Sequence, residues 1–89
     1  MSIENSTNYV KIAKKKIDIK GYVCPMTFVY TKLALEELSK GDLLEVELNF
    51  RPAIKNVPEN CKRQGLAELI KIRVIDKKAD IYELVLKRI

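Results

Sequence analysis

Two cysteines are the chain's only thiols, and they sit in different surroundings. Cys24 lies in Asp18-Ile19-Lys20-Gly21-Tyr22-Val23-Cys24-Pro25, and Cys61 follows 37 positions later. Histidine is absent altogether. That removes Ser-His-Asp and Cys-His catalysis together with every histidine-ligated metal site. Two cysteines are too few for a zinc site, and their spacing is not that of a Cys-x-x-Cys redox pair. No metal and no cofactor is expected. What remains is a thiol acting alone, or one disulfide. A thiol placed between a strand end and a helix start gains from unpaired backbone N–H groups and from the positive end of the helix dipole, both of which favour the thiolate. Lys20 is close in sequence, and Lys62 or Arg63 would add positive charge if two helix starts share one edge. Such a thiolate is a nucleophile for sulfur or disulfide transfer and needs no histidine base. The alternative is a small apolar residue packed in a turn.

The elements that must position Cys24 follow from periodicity. Residues 1–8 are polar and are expected to form a flexible N-terminal extension, leaving 9–89 as a single domain. Val10, Ile12, Ile17 and Ile19 alternate with polar neighbours, a half-buried strand ending at Lys20-Gly21, where Gly21 supplies a turn. From Pro25 to Lys40 the period changes. Phe28, Ala34, Leu35 and Leu38 share one helical face and Val29 and Leu33 widen it, with Pro25 at the first helical position and Gly41 after the last turn. Leu44, Val46 and Leu48 alternate with Glu45 and Glu47 as a second strand. A proline deep in a helix costs about 3 kcal/mol, so the second helix is expected to begin near Pro58 and to close at Gly65. Ile70, Ile72 and Val74, then Tyr82, Leu84 and Leu86 after a turn over 76–80, form a hairpin. The fold class is α+β: a two-layer sandwich in βαβαββ order, with two helices packed on one face of a four-stranded mixed sheet and mixed charge on the other.

An 89-residue chain has no room for a second core, which excludes most self-contained metabolic enzymes. Its 17 basic and 12 acidic residues give +5, unevenly placed. Residues 11–20 hold five lysines against one aspartate, and residues 31–50 hold five acidic residues against two basic ones. A basic surface attracts phosphates, acidic proteins and anionic sulfur species alike. No secretory signal opens the chain and no apolar run approaches the roughly 20 residues of a bilayer span, so the expected compartment is the cytoplasm, where thiols stay reduced.

The motif around Cys24 resembles the TusA/SirA family of small sulfur carriers. The shared pattern is Ile17-Asp18, Gly21 and Cys24-Pro25, then Leu38-Ser39-Lys40-Gly41-Asp42-Leu43-Leu44, and it extends to Val57-Pro58, Cys61 and Gly65. The resemblance implies the βαβαββ sandwich reached above. It also implies that Cys24 accepts a sulfane sulfur as a persulfide from a cysteine desulfurase or rhodanese-like donor and passes it to a downstream acceptor protein, as in tRNA thiolation or sulfur-cofactor metabolism. Three departures stand out. Members usually carry Cys-Pro-x-Pro, whereas Thr27 stands at the second proline. Leu66 follows Gly65 where many members have histidine, and Asn49 or Phe50 replaces an acidic residue after the second strand, where a contact is expected to be lost.

Cys61 is spaced with Ile54 and Val57 to point inward, as a core residue or otherwise as a resolving thiol. Lys14-Lys15-Lys16 reads as a solvated strand edge or a docking patch for an acidic partner or RNA. The competing function is a basic RNA- or protein-binding module in which Cys24 is incidental. Direct nucleic-acid binding is disfavoured, because Tyr22, Phe28 and Tyr30 form no spaced stacking platform and no RRM or KH motif is present.

Overall fold

The computed structural model describes residues 13–89, in the order β1 (Lys14–Asp18), α1 (Met26–Glu36), β2 (Leu43–Leu48), α2 (Ala53–Arg63), β3 (Ala67–Asp76) and β4 (Ile81–Arg88). The expected extension over 1–8 and the strand start at Val10 and Ile12 lie outside the described residues. The sheet runs β1-β2-β4-β3, with β1 parallel to β2 and the other pairs antiparallel, so it is mixed as expected. Parallel pairing of β1 and β2 requires a crossover, which α1 supplies.

Register assigns each face a composition. Ile17, Val46, Leu84 and Ile72 align across the four strands on the helix side. Val46 and Leu84 are fully buried there, with Leu44, Leu48 and Leu86 beside them and Leu35, Ala53, Val57 and Cys61 above. One residue along, Asp18, Glu47, Glu83 and Arg73 align on the open face. Three acidic groups side by side repel. Lysines and one arginine offset this: Lys14 lies 3.5 Å from Glu45, Lys16 lies 3.5 Å from Glu47 and 3.7 Å from Glu83, and Arg73 lies 3.3 Å from Glu83. Lys15 points to the other face and pairs with Glu37. The lysine run is therefore a strand edge whose cations already have partners.

Four expectations change. Helix α1 ends at Glu36, not Lys40; Glu37 and Leu38 close it with bonds to Ala34 and Leu35, and Gly41 (φ 93°) serves instead the turn in which Asp42 N–H donates to Ser39 O. Its inner face is also rotated. Thr27, Thr31, Ala34 and Leu35 are buried, Phe28 and Leu38 flank them, and Val29 and Leu33 face solvent. The threonines escaped an apolar count, yet Thr31 meets the cost of burial by donating its hydroxyl to Thr27 O at 2.8 Å. Helix α2 begins at Ala53 with Pro52 as its cap and runs through Pro58. Ala53, Val57 and Cys61, spaced by four and all fully buried, hold that helix on the sheet strongly enough to override the missing N–H. Finally, Ile70, Ile72 and Val74 are exposed, because β3 is an edge strand broken by irregularities at Leu69/Lys71 and Val74/Asp76, and Ala67 is its one buried residue.

Candidate functional site

The site grows out of the ends of β1 and β2. Because these strands are parallel, the helices that follow both begin at the same sheet edge. The ladder continues past β1 through Ile19 N–H to Glu47 O (2.8 Å), and Gly21, at φ 93°, turns the chain outward while its N–H donates to Asn49 Oδ1 at 2.9 Å. A side chain at Gly21 would be strained by that backbone conformation alone. Asn49, which stands where an acidic residue is usual, thus makes a contact of its own, with its amide oxygen as acceptor. Residues 21–26 are all exposed, and Cys24 is displayed in the middle of this run. Tyr22 packs on Tyr30 with ring centroids 4.8 Å apart, which ties the run to α1.

Two side-chain donors meet at the Cys24 sulfur. Thr27 Oγ1 lies 3.9 Å from Sγ from the first turn of α1, and Asn56 Nδ2 lies 3.9 Å away from the first turn of α2. The starts of the two helices therefore converge on one thiol. Backbone donors contribute less than helix position alone implies. Thr27 N–H donates to Val23 O, and Phe28 and Val29 N–H both donate to Pro25 O, which leaves Met26 N–H as the unpaired donor of the first four helical residues. Pro25 is the residue before the helix, one position earlier than expected.

The remaining sequence candidates take other places. Asp18 accepts from both the backbone N–H (3.0 Å) and the ammonium (2.7 Å) of Lys20, and that ammonium also meets Glu47 at 2.6 Å. The ammonium's hydrogen bonds hold the carboxyls of Asp18 and Glu47 below their ordinary range, while the same bonds, first that to Asp18, raise Lys20. Its charge is used on the open face. Lys62 and Arg63 fall in the last turn of α2. They stand six or more residues beyond Asn56, about 9 Å along the axis, because the helix begins at Ala53 rather than at Pro58. Cys61 is free, fully buried and part of the core, and burial pushes its thiol up to about 11. Asn56 is the residue that sequence reasoning missed. Its only signal was a position on α2, and starting that helix at Pro58 hid it.

Among the described residues no three metal-ligating side chains cluster, and no helix is long and apolar enough to cross a membrane. The sequence profile described as Sulfurtransferase TusA matches residues 15–88, from the second residue of β1 to the end of β4. The chain belongs to the TusA family. A protein of Archaeoglobus fulgidus that carries the provisional name of sulfur carrier protein is 38% identical over 66 residues, 74% of either chain. A second so named, from Methanocaldococcus jannaschii, is 36% identical over 73 residues, covering 75% of this chain and 97% of its own. The crystal structure of a SirA-like protein from Desulfitobacterium hafniense superposes with a TM-score of 0.63 over 82% of this chain and 95% of that one, at 23% identity. It shares the fold, two helices on a four-stranded mixed sheet. For a TusA-family chain, Thr27 is the departure with a direct structural consequence, because its hydroxyl reaches the sulfur.

Proposed function

We propose that Cys24 is the sulfur-carrying residue of this TusA-family chain and works by persulfide transfer between a donor and an acceptor protein. The observation that carries this reading is the convergence of two helix starts on one exposed sulfur. The step balances without any external oxidant. The Cys24 thiolate attacks the terminal sulfur of a donor's cysteine persulfide; a bond forms between Cys24 Sγ and that sulfur, the donor's S–S bond breaks, and the donor cysteine leaves as a thiolate. The transferred sulfur keeps its oxidation state. Delivery repeats the exchange, with an acceptor thiolate attacking the outer sulfur and Cys24 as leaving group.

Asp18, Gly21 and Gly41 are supporting residues in this reading. The first two shape the exposed run, and Gly41 sets the return into β2. Pro25 lets α1 begin directly after the thiol without a donor of its own to satisfy. Partner binding has a surface at hand: Met26, Val29, Tyr30 and Leu33 form an exposed apolar stripe on α1 that joins Tyr22 and Val23 beside Cys24. Contiguous exposed apolar surface of this kind marks a protein interface. A cysteine desulfurase or rhodanese-like enzyme is the donor class, in the cytoplasm, and a thiolation enzyme or sulfur-cofactor enzyme the acceptor class. Lys62 and Arg63, exposed at the far end of α2, are available for docking rather than for the sulfur. The RNA-binding alternative draws no support from Lys14, Lys16, Lys20 and Arg73, which are engaged with carboxylates.

The test is to incubate reduced protein with a cysteine desulfurase and cysteine and to map the added mass. One sulfur is expected on Cys24, and Cys24→Ala should abolish it while the protein still unfolds cooperatively. An adduct confined to Cys61 would reject the reading.

A further inference from the structure

We infer that Thr27 and Asn56 form a two-donor cradle that holds the Cys24 sulfur in its anionic form, thiolate or persulfide, and that they are positioning residues for sulfur transfer. The inference rests on the Cys24 reading above and adds the groups that favour its charged state.

Thr27 supplies the first argument. Its side chain is fully buried, and a buried hydroxyl left without a partner is destabilising. Among the described residues its hydroxyl forms no hydrogen bond to a protein oxygen or nitrogen; the Cys24 sulfur, at 3.9 Å, is its hydrogen-bond partner. A buried donor aimed at an exposed sulfur has its proton directed outward along that line. Thr31, one turn later on the same face, solves the same problem differently, by bonding back to the helix. Thr27 does not make the equivalent bond to Val23 O, four residues back, and its hydroxyl is left to the Cys24 sulfur.

Asn56 supplies the second. It comes from another helix and reaches the same atom at the same 3.9 Å distance, half-buried between the helix starts. Donation from an amide to a sulfur anion is stronger than to a neutral thiol. Both contacts are long for hydrogen bonds, and so suit a large anion that draws them in. A sulfur added to Sγ, at an ordinary S–S length of about 2.05 Å, can be turned toward either donor. A proline at position 27 would offer no proton at all.

The experiment measures the rate at which iodoacetamide alkylates Cys24 in the full chain, on the acid limb of the rate–pH curve. One hydrogen bond is worth about threefold to tenfold in thiolate population. Part of that returns, because a more basic thiolate is more nucleophilic, so Thr27→Val and Asn56→Ala should each slow alkylation about twofold to fourfold. Thr27→Ser should restore the rate, and Asn56→Asp should slow it more than Asn56→Ala. A hydroxyl with only a packing role would give Thr27→Val, which keeps the shape, the wild-type rate. Unchanged rates in Thr27→Val and Asn56→Ala, or no rescue by Thr27→Ser, would overturn the cradle. Alkylation requires no sulfur donor, so this outcome is separate from the persulfide assay. Slowed variants in a chain that accepts no sulfur would leave the cradle standing and remove the relay reading.

Discussion

Cys24 and Cys61 are bound to the same helix in opposite senses. The first turn of α2 brings Asn56 to the Cys24 sulfur, and five residues further along the same helix Cys61 is sealed against the sheet with Ala53 and Val57. Cys24 stands in solvent with two donors; Cys61 has no exposed surface, and desolvation pushes its thiol up to about 11. A buried thiolate would forfeit hydration with nothing in exchange. The lesson is that solvent access divides the work between two identical side chains, one left able to carry charge and the other reduced to filling volume.

The sharpest way to break that comparison is competitive alkylation of the native protein. At pH 7 a thiol titrating at about 11 is ionised in roughly one molecule in ten thousand, and the core also blocks the reagent. Peptide mapping should therefore find Cys24 labelled at least about a hundredfold faster than Cys61, with the difference vanishing in denaturant. Comparable native rates would mean that Cys61 is reachable and that a resolving role is open to it.

Serine substitutions probe the same contrast through stability. Cys61→Ser buries a hydroxyl in an apolar setting and should cost about 1–3 kcal/mol in urea unfolding. Cys24→Ser, in solvent, should stay within about 0.5 kcal/mol. Equal losses would contradict the assignment of the two positions to core and surface.

How much of this arrangement was legible in the sequence depended on the kind of signal. Leu44, Val46 and Leu48 against Glu45 and Glu47 announce β2 because a strand's period is strict and its faces differ chemically. The Gly21-to-Pro25 motif located the thiol for the same reason: few residue types fit a positive-φ turn followed at once by a helix. Helix α1 hid its inner face because it is apolar nearly all round and buries two threonines, so periodicity could not choose between Val29 and Thr31. Helix α2 hid its start because Pro58 speaks locally against a helix that tertiary packing nevertheless imposes. That one displacement also moved Lys62 and Arg63 to the wrong end and concealed Asn56. If packing is what overrides Pro58, Pro58→Ala should stabilise the domain by about 1–2 kcal/mol, less than the full helix penalty because proline also restricts the unfolded chain. A Tm lower than that of the wild type would show that the proline itself shapes α2.

The smallest expected effect concerns Lys20, near Cys24 in sequence but directed elsewhere. Its ammonium holds the carboxyls of Asp18 and Glu47 below their ordinary values of 3.8 and 4.5, and its own titration lies above the ordinary 10.5. The carboxylates' contribution to stability is complete above about pH 4.5 and is lost as pH falls through their lowered folded values. The lysine's contribution is complete below the ordinary lysine value and is lost as pH rises through its raised one. Lys20→Met should therefore lower the urea midpoint slightly across the neutral range, with the two proteins converging once acid has protonated both carboxyls. Solvent screening keeps the difference small, since Lys20 is only partly buried and its partner Asp18 is exposed. The alkylation rate of Cys24 should not change, because the positive charge is already held by two carboxylates on the open face. A rate that falls with Lys20→Met would mean that the sulfur draws on that charge across the sheet edge, and that Thr27 and Asn56 are not its only support.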